Sequence, residues 1–300
     1  MRATIVLATH DPDPAFLRRQ VASLRAQTEA DWRCLVLDDA SQNRSEVAGL
    51  LTDVRFHLLP PEPHLGAYRA FEHLLAACQE AVPVFLCDQD DYWRADKIDR
   101  MLTRTGAAAV FSAMRVVDER GGLVRERFLS RAPEPRALTP AGLLLMNTVS
   151  GAAMAISPEV RAAALPFPAP ELRGWHDQWL AAVAARLGGV HYLDEPLVDY
   201  TRHSGQVTGD GLRRITAGGV RRYAGRLRAE GPLRELASRS GWVRRAARHL
   251  LDLPGPVDPE LEALAAGRWA APLSRGVRAG RVPVARALLL ASGRLIGPMD

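Results

Sequence analysis

The stretch Val84-Phe85-Leu86-Cys87-Asp88-Gln89-Asp90-Asp91-Tyr92-Trp93 decides how this chain is read. Its first four residues form a short apolar run, suited to a buried central strand. Three carboxylates follow within four positions. Side chains alternate along an extended chain, so Asp88 and Asp90 face the same way if strand geometry continues. Carboxylates that share a face repel. A hard divalent cation relieves that repulsion, and Mg²⁺ typically takes one or two carboxylates plus substrate phosphates. The plainer reading is a solvated acidic turn that closes a strand, because Asp-rich turns are common.

The preceding residues give this cluster its setting. Ile5 to Ala8 reads as a buried strand, with Thr9-His10-Asp11-Pro12 as a polar loop at its carboxyl end. Pro14 opens a helix, where proline suits the first turn, and Leu17, Val21 and Leu24 give it one apolar stripe. Cys34 to Leu37 is a second strand and ends in Asp38-Asp39-Ala40-Ser41. A short helix from Ser45 to Leu51 leads to a third strand over Val54 to Leu58. A rigid loop from Pro60 to Gly66 precedes a helix bearing Phe71, Leu74, Leu75 and Cys78 on one side, and Val84 to Cys87 is the fourth strand. Alternating strands and helices predict an α/β fold with a mainly parallel, helix-covered sheet. In such sheets ligands bind beyond the carboxyl ends of the strands. Thr9 to Asp11, Asp38-Asp39 and Asp88 to Asp90 are therefore expected to converge on one cleft. Taken singly, Asp and Thr after strands also serve turns and helix caps.

Further on, Val110 to Ala113 reads as a strand, followed by Met114 to Asp118, and Gly121-Gly122 as a hairpin turn. Thr139-Pro140 and Ser157-Pro158 read as helix starts, each with a hydroxyl cap and proline in the first turn. Ala152 to Ile156 is expected to be a strand. Gly174-Trp175-His176-Asp177 opens a helix through Leu187, and Val190 to Leu193 and Leu197 to Thr201 read as two late strands. Beyond Gly209 the character changes. Between Leu212 and His249 eleven Arg face only Glu230 and Glu235, a net of +9 against +5 for the whole chain. Val220, Tyr223 and Leu227 recur at helical spacing among these Arg. A basic amphipathic helix of this kind can lie on an anionic membrane surface; a packed helical extension with a solvated Arg face is the other reading. The division expected is 1–209 for the α/β domain and 210–300 for a basic helical extension.

Composition narrows the class. A hydrophobic fraction of 47% and a charged fraction of 24% over 300 residues are ordinary for a globular protein. Cys34, Cys78 and Cys87 are scattered, form no CxxC pair and suit buried reduced thiols in a cytoplasmic compartment. The apolar part of the N-terminus is too short for a signal peptide. No run reaches the ~18 apolar residues a membrane span needs. Aromatics are 6%, and no recognition motif accompanies the Arg residues, so nothing points to specific nucleic-acid binding.

The order of the motifs resembles the family 2 glycosyltransferases, and within them the bacterial rhamnosyltransferase-type branch. The residues that carry the resemblance are Thr9-His10-Asp11, Leu37-Asp38-Asp39-Ala40-Ser41 and Cys87-Asp88-Gln89-Asp90-Asp91-Tyr92-Trp93 with Lys97-Ile98. Gly151-Ala152-Ala153-Met154, His176-Asp177-Gln178-Trp179 and Tyr200-Thr201-Arg202-His203 with Gly209 complete them. Thr201, Gln206 and Ala70 depart from the pattern, standing where Arg, Asn and Asn are frequent. The resemblance implies a GT-A fold, Rossmann-like, and transfer of a sugar, rhamnose among the candidates, from a nucleoside diphosphate sugar. The acceptor implied is a hydroxyl of a cell-surface glycan or lipid-linked acceptor, with the enzyme cytoplasmic and able to sit peripherally on the membrane.

By the same resemblance Asp90 is the first ligand of a divalent metal, Mg²⁺ or Mn²⁺, with His203 a further ligand or phosphate donor. Asp88 contacts ribose or metal, and Asp91 orients either. Thr9, Asp11 and Asp39 hold base and ribose. Arg69 touches the diphosphate or is simply an exposed helical Arg. Asp177 is the catalytic base of an inverting transfer, removing the proton of the attacking hydroxyl; capping the following helix is its structural alternative. Trp175 and His176 lie on the acceptor side. A phosphatase built on a strand-end DxD is disfavoured, since that motif usually follows the first strand. A non-catalytic nucleotide- or glycan-binding module on the same fold is the remaining alternative, and the carboxylates at Asp90 and Asp177 argue against it.

Overall fold

The computed structural model describes residues 1–104, 106–129, 132–169, 175–203 and 232–269, together with Pro272 and Ser274. Its strands are β1 (Ala3–Thr9), β2 (Trp32–Asp38), β3 (Phe56–Leu58), β4 (Val84–Cys87), β5 (Tyr92–Trp93), β6 (Ala109–Asp118), β7 (Leu123–Arg125), β8 (Met154–Ile156) and β9 (Val190–Arg202). The helices are α1 (Pro14–Arg25), α2 (Arg44–Leu50), α3 (Ala67–Ala77), α4 (Lys97–Leu102), α5 (Pro140–Leu145), α6 (Pro158–Ala164), α7 (His176–Leu187), α8 (Pro232–Asp252) and α9 (Pro259–Ala265).

The sheet runs β3-β2-β1-β4-β8-β6-β9-β5, with β7 paired to β6. The first four strands are mutually parallel, as the alternating pattern requires. β8 then enters antiparallel to both β4 and β6, and β6 and β9 run parallel beside it. Every side chain of β4 is buried, because helices cover both faces of a sheet of this kind. The expected strands and helices from residue 5 to residue 87 are present, with shifted ends. β3 begins at Phe56 rather than Val54, whose side chain is exposed.

Local chemistry fixes several element starts. Asp13 accepts from the Ala15 N–H ahead of α1, Thr139 from Gly142 ahead of α5 and Ser157 from Val160 ahead of α6, each satisfying one otherwise orphaned first-turn donor. Two expectations are corrected. Residues 151–153 form a 3-10 turn, and strand begins only at Met154. The two late strands are one, β9, in which the register against β6 shifts between Leu193 and Pro196. A bulge there lets proline sit in a strand that a regular ladder would deny it.

The described part of the C-terminal region shares the main core. Trp242, Val243, Ala246, Ala247 and Leu250 of α8, with Leu261 and Leu264 of α9, are buried in one cluster with Trp179 and Leu180 of α7. Arg186 of α7 donates from Nε to the Leu250 carbonyl at 3.1 Å and from its second amino group to the Leu253 carbonyl at 3.1 Å. It thereby satisfies carbonyls left open at the end of α8. Arg245 and Arg248 donate to the carbonyls of Ala169 and Ala265, so these Arg serve packing. The basic amphipathic run from Val220 to Arg228 lies outside the described residues, as does the 209/210 boundary. Among the described residues no helix is long and apolar enough to cross a membrane. Leu250→Ala is expected to lower stability by about 2–5 kcal/mol in one cooperative unfolding transition followed by urea titration. Two separable transitions would show the C-terminal helices to be an independent unit.

Candidate active site

β4 ends at Cys87, and residues 89–90 form a turn before β5. Strand alternation therefore does not set where Asp88 and Asp90 point; the turn does. Asp91 is fully buried and accepts from the Thr201 N–H at 3.0 Å, while its other oxygen has no hydrogen-bond partner. Asp90 is partly exposed, and its Oδ2 lies 2.8 Å from His203 Nε2. Phe16 of α1 packs its ring 5.0 Å from the His203 ring, and Arg19 donates to the Asp90 carbonyl at 3.3 Å and to the Thr201 hydroxyl. Burial, followed by the charges of Asp90 and Asp177, pushes Asp88 up to about 7. Burial, then the charges of Asp90 and Asp88, also raises Asp91 well above the usual carboxylate range.

The Gly151 turn, which precedes β8 alongside β4, gives its N–H to Asp177 and so brings the start of α7 to this edge. Trp175, not Asp177, is the residue before the first turn of α7, and its side chain makes no capping bond. Asp177 instead accepts from Gln178 N–H at 2.7 Å and from Gly151 N–H at 3.3 Å. Gln178 is buried and donates to the Leu143 and Leu144 carbonyls at 2.7 and 2.9 Å, locking the start of α7 to the end of α5. His176 stacks on Phe71 of α3, with centroids 3.8 Å apart and planes 19° apart. Burial lowers its pKa, and among the described residues its Nε2 has no hydrogen-bond partner. Gly151 is required here: a Cβ would sit 2.7 Å from His176 Nε2.

The other carboxyl-end residues also gather at this edge, each with partners inside the protein. Thr9 is buried and gives its hydroxyl to Asp38 at 2.9 Å, so it faces inward rather than toward a ligand. Asp38 is also buried and accepts from the Ser41 hydroxyl at 2.6 Å. Asp11 takes a positive φ of 39° and accepts from Gln42 N–H at 2.7 Å. Asp39 is 2% exposed and accepts from the N–H groups of Leu65 and Gly66, which fastens the loop before α3. The His10 and His64 rings lie 4.5 Å apart above it, exposed. Ligating atoms of His10, Asp39 and His64 fall within 4.8 Å of one another, a second place with metal-type donors. Arg69 pairs with Glu72 and reaches the Phe167 carbonyl at 3.4 Å. Its side chain stays about a third exposed beside these partners.

Sequence reasoning overlooked Lys97 as a site residue. It is the only lysine in the chain, wholly buried. Its ammonium donates to the Ala152 carbonyl at 2.7 Å and lies 3.3 Å from the Trp93 ring centroid. Burial pushes it down to about 7, against the raising influence of Cys87, Asp91 and Asp88. Its rarity in an Arg-rich chain was the available signal. Arg19 gave none, being one Arg among many on a helix.

A carboxylate-lined turn, an imidazole and a separate carboxylate at one strand edge can hold a hard cation and take a proton from a hydroxyl. Asp90 and His203, 2.8 Å apart, supply a carboxylate and an imidazole and Asp88 a further carboxyl, donor types that suit Mn²⁺, while the described residues whose ligating atoms already fall within 4.8 Å of one another are His10, Asp39 and His64. Comparison with known proteins agrees with a glycosyltransferase. An uncharacterized glycosyltransferase of Nostoc sp. is 24% identical over 212 residues, 68% of this chain and 65% of the relative, so the match falls short of two thirds of the relative's length. A Staphylococcus aureus TarS fragment crystallised with UDP-GlcNAc is similar in fold, with a TM-score of 0.56 at 14% identity, covering 98% of this chain and 92% of that one. A mannosyltransferase of Pyrobaculum calidifontis crystallised with GDP-Man and Mn²⁺ has a TM-score of 0.51 at 17% identity, covering 98% and 80%. The model of glycosyl transferase family 2 matches residues 4–155, half of the chain, and with the strand-end site in place the chain belongs to that family.

Proposed function

We propose that the protein is an inverting, metal-dependent transferase that moves a sugar from a nucleoside diphosphate sugar to a hydroxyl of a cell-surface glycan or lipid-linked acceptor. Rhamnose is the first sugar to assay. The observation that carries this is the hydrogen bond from the Gly151 N–H to Asp177 Oδ2 at 3.3 Å, which brings the first turn of α7 to the carboxyl end of β4, where the acidic turn lies. Relatives of this fold bind UDP-GlcNAc and GDP-Man, which supports a nucleoside diphosphate sugar as donor. A basic membrane-facing segment would suit a lipid-linked acceptor, and that reading rests on the Arg-rich run outside the described residues.

Asp90, His203 and Asp88 would hold the divalent metal, which supplies positive charge to the departing diphosphate. Asp91, buried beneath, fixes the turn by accepting from Thr201; it supports the donor site without touching the donor. Asp11, His10 and His64 are the exposed groups left at the β1–β2 edge for base and ribose. Thr9 and Asp39 hold that edge together from within. Asp177 takes the acceptor proton, oriented by the Gly151 and Gln178 N–H groups. Trp175 and His176 flank it on the acceptor side.

Calorimetry with UDP, dTDP and GDP, each with and without Mn²⁺, should show metal-dependent binding of one nucleotide, lost in Asp90→Ala. No binding of any of the three by the folded protein would point to a non-catalytic module. Asp177→Asn should keep nucleotide binding and lower the transfer rate by about 10²–10⁴-fold; a fully active variant removes Asp177 from the base role. The pH dependence has a definite sign. An unfolded Asp loses its proton near 3.9, whereas Asp88 in the folded chain keeps its own to about 7. Between these values the folded state binds more protons, so metal-free stability falls as pH rises from about 4 to about 7. In urea titrations across that range Asp88→Asn should flatten the fall, and an unchanged slope would show Asp88 to be ionised throughout.

A further inference from the structure

Two turns that carry the proposed chemistry come from distant parts of the chain. The acidic turn follows β4, and the 3-10 turn Gly151–Ala153 precedes β8. Lys97, at the start of α4, touches both regions. Its stem and ammonium are wholly buried, and its Nζ lies over the ring of Trp93, just after the acidic turn. The same Nζ donates at 2.7 Å to the carbonyl of Ala152. The residue before, Gly151, gives its N–H to Asp177 Oδ2 at 3.3 Å. One ammonium thus stands one residue away from the group that orients the proposed base.

Two features say that the position is specified and not merely filled. Burying an ammonium away from water is costly unless carboxylates and hydrogen-bond acceptors compensate it. Here the Ala152 carbonyl accepts from it and the Trp93 π-face lies against it. The chain also uses Arg at every other long basic position. A compact ammonium fits between a ring face and one carbonyl, whereas the planar guanidinium with five donors does not. The contact from Gly151 to Asp177 is long, so its geometry depends on where the 151–153 turn is held. Displacing a reacting group by about 1 Å can cost on the order of 10²-fold in rate.

We propose that Lys97 is a positioning residue that couples the donor-side acidic turn to the Gly151–Ala153 turn and so sets Asp177 against the acceptor hydroxyl. This rests on the reading of Asp177 as base. The test is a double-mutant cycle on the full chain, with kcat for transfer, nucleotide binding with Mn²⁺ and thermal unfolding measured for each member. Lys97→Met should fold with a lowered Tm, bind nucleotide within about threefold of the parent and lose about 10–100-fold in kcat. In the Asp177→Asn background the same substitution should change the residual rate by less than about threefold, because residues acting through one another are not additive. Equal losses in both backgrounds, unchanged kcat, or nucleotide binding lost in step with kcat would each overturn the proposal. Lys97→Arg keeps the charge without the compact donor and should show the same non-additive loss. If Lys97→Met does not fold, that variant decides, and a parental kcat in Lys97→Arg overturns the proposal. The two readings fail separately: the Asp177→Asn single variant alone tests the base, and the cycle tests Lys97.

Discussion

Three carboxylates crowded at the buried end of β4 are the constraint that the rest of the site answers. Like charges a few ångströms apart in a poorly solvated place raise one another's energy steeply. The fold responds in two layers. Below, Asp91 is sealed in, tied to the Thr201 N–H and faced by the Lys97 ammonium. Above, Asp90 reaches the partly exposed surface and meets His203. Asp88, the first of the three, is pushed up to about 7 by burial and by the charges of Asp90 and Asp177. A divalent ion at this point would complete a charge balance that the protein alone leaves unfinished, and metal binding would displace protons as it did so.

The scaffold brings the second half of the site to this edge by inserting one antiparallel strand. β8 pairs with β4 on one side and β6 on the other, so the 151–153 turn that precedes it lies beside the acidic turn. α7 is then fixed by Gln178, which fills the open carbonyls at the end of α5, and by Trp179, whose indole N–H donates to the Ala164 carbonyl at 2.9 Å. The C-terminal helices back this arrangement. Trp242 of α8 donates to the Tyr68 hydroxyl, which itself donates to the Pro168 carbonyl. A helix far along the chain thereby buttresses α3, whose Phe71 is the stacking partner of His176.

What the sequence displayed was mostly local. The parallel half of the sheet was legible because buried strands are short apolar runs and their connecting helices carry a stripe. The caps at Thr139 and Ser157 were legible because a hydroxyl before proline has a defined task at a helix start. Long-range pairing left no such trace. Nothing in Met154 to Ile156 announces an antiparallel partner on both sides, and Pro196 read as a break between strands where the structure makes a bulge. Side-chain roles at the strand ends were legible only as residue types. Thr9, Asp39 and Arg69 are polar residues near the edge, and all three are bonded within the protein; for Asp39 the reason is plain, because the loop before α3 must satisfy its N–H groups.

Asp90 and Asp91 make the limit of spacing arguments concrete. They are neighbours, chemically identical, in one motif, and the turn sends them to opposite fates: one 20% exposed beside an imidazole, the other without contact with water. A strand would have produced the same opposition by alternation and would have put Asp88 on the side of Asp90. The turn allows both to be partly exposed without that regularity. The pattern of carboxylates therefore identifies the place where charge must be managed, and the division of labour among them follows from which of their oxygens the backbone has already claimed. By that criterion Asp91, with one oxygen on Thr201 N–H and the other enclosed, is taken up by the framework, and Asp90 is the carboxylate that meets the surface beside His203.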